Sequence, residues 1–453
     1  MSTQRITAIL AIFLITAVFL RSISQAANPN DIEDLIKQYQ QETKCNHVSV
    51  VVYNHGDVSY YGDSEGLYQI GSMTKAFTGL AISKLITERV IDENGVISDY
   101  IPGFEGYFDS RKVNITVRNL LEQKSGFTNN EKEYPSAAAT ETLAEWADRI
   151  SGSELNSIPG AEYAYSNVNY NLLGLVIENV SGMPYRDYIE QNILLPLGLK
   201  NTYVGMPYSG RIVEGTRLGY RHAFDFHMAV KEASIPAGYF YSNTEDMGRW
   251  IEICTGNSDI PEDFKESFSK IKEQLKAEGD YYSGWELFAD GVTGHSGGTP
   301  NYSSRIAFDD KKQIGVCVLS NLNVAATTDS LCNNIFDILS GRDPGALTKD
   351  IWTIFDIVFS AVTAVGAFLF GAIFITKRRS LLLGCDTILI VLLALVLILF
   401  PIIFGAGMKE IVFTWAPWSL AGGILTVAGD IVCATIKLLT GKRYADHNKT
   451  GKG

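Results

Sequence analysis

The stretch Ile70-Gly71-Ser72-Met73-Thr74-Lys75 decides how the rest of the sequence is interpreted. Ser72 and Lys75 are three residues apart, so a helix would place both side chains on one face. Gly71 lets the chain turn just before that helix, which sets Ser72 near the N-terminus, where the helix dipole favours negative charge. The apolar residues after Lys75 predict a buried helix, and burial lowers the pKa of a lysine. The pattern therefore predicts a nucleophilic hydroxyl beside an amine that can accept its proton.

A serine three residues before a lysine is a weak signal by itself, because chance produces the pattern often. The chain holds a second example at Ser267-Phe268-Ser269-Lys270. This copy lies in a highly charged segment, residues 262–273, which is typical of a solvated helix on which a lysine stays protonated. We therefore interpret Ser72, and not Ser267, as the nucleophile.

A second candidate motif lies on a predicted loop in front of a helix-like stretch. Tyr165-Ser166-Asn167 offers a phenol for proton transfer and an amide that can hold a substrate or the lysine. The same tripeptide recurs at Tyr241-Ser242-Asn243. The flanking residues do not separate the two copies on physical grounds.

The third candidate motif is the glycine-rich run Gly294-His295-Ser296-Gly297-Gly298. A strand of small residues lets a substrate backbone approach and pair with it. The same letters fit the nucleophile elbow Gly-x-Ser-x-Gly, with Ser296 as the attacking group. An elbow must be followed by a helix and then by an Asp and a His, whereas strand-like residues follow here. The only later histidine is His447, beyond the predicted membrane segments, so the elbow interpretation fails.

Both ends of the chain are apolar. Residues 1–26 have a basic start, an apolar run and a small-x-small end, which predicts a secretory signal. An uncleaved anchor helix is the alternative, and either one places the next part of the chain outside the cytoplasm. Residues 351–440 hold three apolar segments (351–376, 381–405 and 411–439), each longer than the ~20 residues that a helix needs to cross a bilayer.

Basic residues set the orientation of these predicted membrane helices. They follow the first helix at 377–379 and the third at 442–443, and such loops stay in the cytoplasm. Residues 27–340 then form a catalytic domain on the extracytoplasmic side, periplasmic or extracellular, with 341–350 as a linker and 441–453 as a cytoplasmic tail. The sequence thus predicts a multi-pass membrane protein. Its tryptophans at the predicted outer interface are Trp352, Trp415 and Trp418.

Charge and cysteine content limit the possible partners. Residues 27–350 carry 27 Lys and Arg against 45 Asp and Glu, a balance that repels nucleic acid, although a need for solubility explains it equally well. The six cysteines include no Cys-x-x-Cys pair, so zinc-site spacing is absent, and we interpret them as small core residues. We therefore expect no metal, no cofactor and no nucleic-acid partner.

The order of strand-like and helix-like segments predicts an α/β fold. Strand-like runs lie near both ends of the catalytic region, at 48–53 and 58–61 and again at 304–308 and 314–319. The long middle has helical periodicity. This order favours one antiparallel sheet built from both ends, flanked by helices, with an all-helical domain inserted in its centre.

The motifs Ser-x-x-Lys, Tyr-x-Asn and His-x-Gly, in this order, resemble the serine β-lactamase and penicillin-binding-protein superfamily. The resemblance is to the branch with class C β-lactamases and D-alanyl peptidases, and it covers about residues 30–340, including stretches at 116–121, 125–126, 194–199 and 236–238. It implies a β-lactamase-like fold. It also favours Tyr165 over Tyr241, because the segment that contains Tyr241 is not catalytic in that family.

The resemblance implies a role for each motif. Ser72 attacks a carbonyl and becomes acylated, while Lys75 and Tyr165 share the proton transfers, and which of them is the base stays open. The backbone N–H groups of Ser72 and Gly298 would form an oxyanion hole. The residues that would bind the substrate are Asn167, His295, Ser296 and Gly297.

One departure from the family pattern bears on the substrate. The third motif usually begins with lysine in penicillin-interacting relatives, whereas here it begins with His295, which is largely neutral near pH 7. This disfavours β-lactamase or carboxypeptidase action as the main function. It favours peptide, amide or ester substrates without a carboxylate near the scissile bond.

With its signal and three membrane helices, the chain also resembles membrane-bound, prodrug-activating peptidases of the colibactin-maturing type. That resemblance implies a D-amino-acid-specific peptidase that removes an acylated cap from a small peptide. The alternatives are a penicillin-binding or β-lactamase activity, an esterase, and a cell-wall or β-lactam receptor without turnover. The receptor is suggested by Asp356, Asp386 and Asp430, which lie in or near membrane segments.

Overall fold

A computed structural model describes residues 32–450 except 131, 289 and 377, so the predicted signal at residues 1–26 lies outside the described residues. The strands β1 to β15 are, in chain order, Val48–Asn54, Asp57–Tyr61, Tyr68–Gln69, Gly106–Phe108, Arg111–Val113, Ser153–Glu154, Tyr203–Val204, Thr216–Gly219, His222–Asp225, Phe240–Ser242, Tyr281–Tyr282, Trp285–Leu287, Thr293–Thr299, Tyr302–Asp309 and Ile314–Ser320. The helices α1 to α15 are Ile32–Thr43, Thr74–Thr87, Val117–Leu121, Leu143–Ile150, Asn167–Ser181, Tyr185–Ile189, Leu195–Leu197, Ile235–Gly238, Thr244–Thr255, Glu262–Glu278, Ala325–Leu339, Ile351–Ile375, Arg379–Ile403, Met408–Glu410 and Trp418–Thr450. Shorter 3-10 and π turns lie at Gly71–Met73, Ile97–Asp99, Glu190–Leu194, Glu232–Ser234 and Ile411–Trp415.

The main sheet joins the two ends of the catalytic region. Its strands lie in the order β11-β12-β13-β14-β15-β1-β2, so the first hairpin pairs with the last strand. The pairing is antiparallel, with Val50 of β1 opposite Val318 of β15. The prediction of one antiparallel sheet built from both ends is confirmed.

Both faces of this sheet are covered, which explains why β1 is apolar along almost its whole length. Successive residues of a strand point to opposite faces. Val51 and Tyr53 therefore belong to the core shared with the helical region, whereas Val50 and Val52 pack in a second core with α1 and α11. The helical region also carries small sheets, in the orders β3-β10-β7 and β5-β4-β6. Their strands have only two or three residues, too few for an alternating pattern to predict them.

Helix α2, which follows the Ser72 turn, lies at the centre of the catalytic region. Every residue from Thr74 to Ser83 is buried. A helix that is apolar on all its faces is stable only when other elements surround it. The burial predicted from the sequence is confirmed, and it fixes the turn at Gly71–Met73 in a rigid frame.

Within the described part of the chain, three helices are long and apolar enough to cross a membrane, over Ile351–Ile375, Ser380–Ile403 and Trp418–Thr440. The third begins later than the predicted start at residue 411. The wide turn Ile411–Trp415 ends at Ala416, whose backbone is extended (ψ 157°) because the following Pro417 disfavours helical geometry before it. Residues 404–417 therefore form a compact connection between the two helices, which we call the cap segment.

Candidate active site

The side chains of Ser72 and Lys75 meet as the helical spacing predicts. Lys75 Nζ lies 3.0 Å from Ser72 Oγ. Two further contacts hold the amine, which donates to Asn167 Oδ1 at 2.7 Å and to the Ala237 carbonyl at 2.6 Å. The serine, the lysine and the amide of the second motif thus form one hydrogen-bonded group.

Burial favours the neutral form of the Lys75 amine. The side chain is fully buried, and this burial lowers the pKa of Lys75 well below its usual value. A neutral amine has two N–H donors and one lone pair. In its neutral form the amine would donate to Asn167 and Ala237 and turn its lone pair towards the Ser72 hydroxyl, so the geometry suits Lys75 as a proton acceptor.

Tyr165 lies close to the same amine and to the Ser72 hydroxyl. Its ring centroid is 4.9 Å from Lys75 Nζ, and its ring packs edge-on against Tyr281. Burial raises the pKa of the Tyr165 phenol above its usual value, and the interaction with the Ser72 hydroxyl only partly opposes this effect. A phenol that stays protonated can donate or relay a proton, but it is a poor base at neutral pH.

Buried polar residues hold the loop of the second motif in place. No sequence pattern predicts this supporting role. Gln123 Oε1 accepts from the Ser166 backbone N–H at 2.9 Å and from Asn169 Nδ2 at 2.5 Å. Ser125 Oγ donates to Asn169 Oδ1 at 2.5 Å. Ser125 thus holds Asn169, which closely follows the segment that carries Tyr165 and Asn167.

Strand β13 brings the third motif against the Ser72 turn. Among the described residues, β12 pairs only with Thr293 and Gly294 of β13, which leaves the following residues with an open edge. The turn lies against that edge, since a Cβ atom added to Gly71 (φ +53°) would lie 2.5 Å from the Gly298 nitrogen. The backbone of Gly298 is therefore adjacent to the nucleophile, as an oxyanion hole requires.

The two glycines of this edge differ in the space around them, and this difference yields a stability prediction. A Cβ atom on Gly297 would collide with the Ile70 carbonyl and the Ser304 hydroxyl, whereas one on Gly298 would meet no described atom within 4 Å. We expect Gly297→Ala to destabilise the protein by ~1–3 kcal/mol and Gly298→Ala to stay within ~0.5 kcal/mol of the wild type. Thermal unfolding of the full chain in detergent measures both, and equal melting temperatures for the two variants would contradict this packing.

His295 and Ser296 point to opposite faces of β13. The buried His295 ring donates from Nδ1 to the Ser296 carbonyl (2.6 Å) and accepts at Nε2 from the Tyr281 hydroxyl (3.2 Å). Ser296 instead accepts from Arg305 Nη1 at 2.8 Å, on the face covered by α11. The two-residue period of a strand thus keeps the Ser296 side chain away from Ser72. This placement argues against Ser296 as a direct substrate ligand.

The His295 environment predicts a neutral imidazole over a wide pH range. Burial lowers the pKa of His295 to about 3. We expect the His295 ring resonances, assigned by comparison with His295→Gln, to stay those of the neutral Nδ1–H tautomer down to pH 5. Because the folded-state pKa is depressed, this group stabilises the fold above pH ~6.5 and the contribution is lost as the pH falls towards 3. Titration of His295 between pH 5 and 7 would refute this account.

A cavity of about 320 Å³ lies in front of Ser72. Of the predicted site residues, its lining includes Ser72, Asn167 and Gly298. Tyr241, from the second copy of the tyrosine motif, lies instead in β10, where its ring packs edge-on against Tyr302. The remaining walls come from the helical region (Tyr134 and Trp146) and from the cap segment.

Comparisons with known proteins identify the family of this chain. The sequence profile of the family described as Beta-lactamase matches residues 32–334. Protein flp from Staphylococcus aureus (strain NCTC 8325) is 30% identical over 388 residues, which cover 79% of this chain and 77% of that protein.

Solved structures show the same fold. The octameric penicillin-binding protein homologue from Pyrococcus abyssi superimposes with a TM-score of 0.62 at 22% identity, over 70% of this chain and 78% of that one. A class C beta-lactamase in complex with cefoxitin gives a TM-score of 0.58 at 17% identity, over 68% of this chain and 97% of that one. At these identities, the two structures support the fold alone.

Proposed function

The chain belongs to the beta-lactamase family of serine hydrolases, and we propose that it is a membrane-anchored peptidase that cleaves an amide bond of an acylated peptide. The observation that carries the proposal is the position of the buried Lys75 amine. It lies 3.0 Å from Ser72 Oγ and also forms hydrogen bonds with Asn167 and the Ala237 carbonyl. The reaction would proceed through an acyl-enzyme on Ser72.

The geometry supports a sequence of proton transfers. As Ser72 Oγ attacks the carbonyl carbon, its proton moves to the Lys75 lone pair, and the backbone N–H groups of Ser72 and Gly298 stabilise the oxyanion. When the C–N bond breaks, the proton passes from Lys75 through the Tyr165 hydroxyl to the leaving amine. Water then attacks the ester and gives up one proton by the reverse route, which releases the acid and restores the Ser72 hydroxyl.

The third motif bears on the choice of substrate. A permanently charged lysine as the first residue of the third motif would suit a substrate carboxylate. The residue at that position is the buried His295, which is neutral at physiological pH because burial lowers its pKa to about 3. This supports an amide or peptide substrate without a carboxylate next to the scissile bond. It argues against carboxypeptidase or β-lactamase action as the main activity.

Membrane anchoring is supported by the three long apolar helices that follow the catalytic region. The basic residues at 377–379 and 442–443 favour a catalytic domain on the extracytoplasmic side. Asp356, one of the acidic residues that suggested a receptor, contacts the catalytic region, because its Oδ2 accepts from the Arg221 backbone N–H at 2.8 Å. Asp356 therefore joins the first long helix to the catalytic region.

A substrate panel tests the proposed function. Purified full-length protein would be offered an N-acyl-D-amino-acid amide, its L enantiomer, a short-chain ester and a peptide ending in D-Ala-D-Ala. We expect many turnovers with the D amide and much slower release from the D-Ala-D-Ala peptide. Preferred hydrolysis of the ester would instead establish an esterase, and a single stoichiometric acylation without release would establish a receptor.

A further inference from the structure

The cavity in front of Ser72 is completed by the membrane region. One of its walls is the cap segment, the connection over residues 404–417 between α13 and α15. Several of its residues share the lining with Ser72 and Gly298, namely Phe404, Gly405, Ala406, Glu410, Thr414 and Trp415. A wall of this composition is mainly apolar and aromatic. It lies where the second and third long helices emerge towards the catalytic region.

Arg217 of β8 holds the cap segment in place. Its buried guanidinium donates to the carbonyl oxygens of Val412, Phe413 and Ala416, at 2.9 Å for Phe413 and 2.5 Å from Nε to Ala416. Val412 and Phe413 lie within the short turn Ile411–Trp415 and Ala416 directly follows it, so these carbonyls belong to the last turn before the chain becomes extended, where backbone oxygens lack helical partners. A planar fork of donors suits several carbonyls at once, and a cation is favoured at the negative end of a helical turn.

Two aromatic rings complete the binding site of the guanidinium. Its central carbon lies 4.0 Å from the Trp418 ring and 5.0 Å from the Phe226 ring. Burial lowers the pKa of Arg217 to about 10, so the side chain remains charged at neutral pH. Next to the cap segment, Ser419 Oγ of α15 donates to Asp356 Oδ1 of α12 at 2.8 Å, which joins two of the long helices. The hydrogen bonds of Arg217 fix the cap segment itself to the catalytic region.

We infer that the cap segment is a specificity-determining wall of the active site, and that Arg217 is the positioning residue that keeps it there. Phe404 and Trp415 would contact the apolar part of the substrate, beyond the carbonyl that Ser72 attacks. The inference rests on the proposed function for its reaction. It adds that substrate binding depends on a part of the chain outside the region that matches the beta-lactamase family, which ends at residue 334.

The cap segment offers a matched pair of variants for a test. Trp415 lines the cavity, whereas the side chain of Phe413 in the same turn is 58% exposed and lies outside the lining. We would measure kcat and KM of Trp415→Ala and Phe413→Ala for amides with a long and a short acyl group. A small serine-reactive probe that does not extend to the cap would report on Ser72 itself.

For Trp415→Ala we expect KM for the long substrate to rise about tenfold or more, the range for one lost apolar contact. The KM for the short substrate, the probe labelling rate and all constants of Phe413→Ala should stay within about twofold of the wild type. Equal behaviour of Trp415→Ala and Phe413→Ala would overturn the inference, as would a uniform loss that includes probe labelling. Either of these two results, obtained while Ser72 of the wild type still reacts with the probe, would overturn the role of the cap segment but not the proposed hydrolase activity. A wild type that does not react with the probe would refute the proposed function itself.

Arg217 is tested by the same constants. Arg217→Ala should raise KM for the long substrate while kcat and probe labelling change little. Arg217→Lys should recover part of the loss, because an ammonium keeps the charge but lacks the planar fork of donors. Should Arg217→Ala lower the yield of folded protein, Arg217→Lys carries the test on its own. A parallel fall of kcat and probe labelling in Arg217→Lys would contradict a positioning role.

Discussion

Replacing Ser72 by alanine is expected to abolish covalent acylation and to lower kcat by at least ~10⁴-fold, because no other group can then carry the acyl intermediate. The measurement combines steady-state turnover with the intact mass of the protein after incubation with a serine-reactive probe. Wild type should gain one probe mass, and Ser72→Ala should gain none. Persistent labelling of the variant at the wild-type rate would contradict the assignment.

The second Ser-x-x-Lys sequence supplies the control for this experiment. Ser267 lies on α10 and donates its hydroxyl to the Asp263 carbonyl at 2.8 Å, a contact within the helix. Ser267→Ala also removes a serine hydroxyl from a Ser-x-x-Lys sequence, but Ser267 does not line the cavity in front of Ser72. It should be labelled and turn over substrate like the wild type.

Replacing Lys75 by glutamine is expected to lower kcat/KM by ~10²–10⁴-fold, the range for loss of a general base. Glutamine keeps polar contacts but cannot take up the Ser72 proton. The pH profile separates the loss of the general base from a loss of folded structure. The neutral amine is the active form, so wild-type activity should be lost as the pH falls through the Lys75 pKa, which burial lowers well below its usual value. Lys75→Gln should lose this acid limb.

Lys270→Gln is the matched control for the lysine. The Lys270 side chain is 43% exposed and its amine pairs with Glu266 at 3.0 Å, so it lies on the solvent side of α10. Its replacement should leave both the rate and the acid limb unchanged. If Lys75→Gln retained the wild-type pH profile, Tyr165 or another group would have to be the base.

The sequence predicted the parts of the site that depend on local spacing. Ser72 and Lys75 lie one helical turn apart, so their contact follows from the local geometry of the turn Gly71–Met73 and the start of α2. Strands β1 and β15 were predictable because each is a continuous apolar run. The choice between Tyr165 and Tyr241 needed the family resemblance, since both tripeptides look alike without their tertiary surroundings.

Other features could not be predicted because they depend on contacts between distant backbone groups. The partners of Arg217 are carbonyl oxygens 195 to 199 residues further along the chain, and carbonyls are identical in every residue. The support of the second motif by Gln123 and Asn169 is likewise tertiary. The break before Trp418 had a local signal in Pro417, which the uninterrupted apolar character of the segment concealed.

The central claim is that Ser72 carries the acyl group, and peptide mapping of the intermediate tests it most directly. Full-length protein would be mixed with an acyl substrate, quenched within milliseconds to seconds in acid, digested, and fragmented in a mass spectrometer to locate the added mass. The expected result is an acyl ester on Ser72 that appears before product and decays as product is released. An adduct on Ser296 or on any other residue, with Ser72 unmodified, would contradict the account.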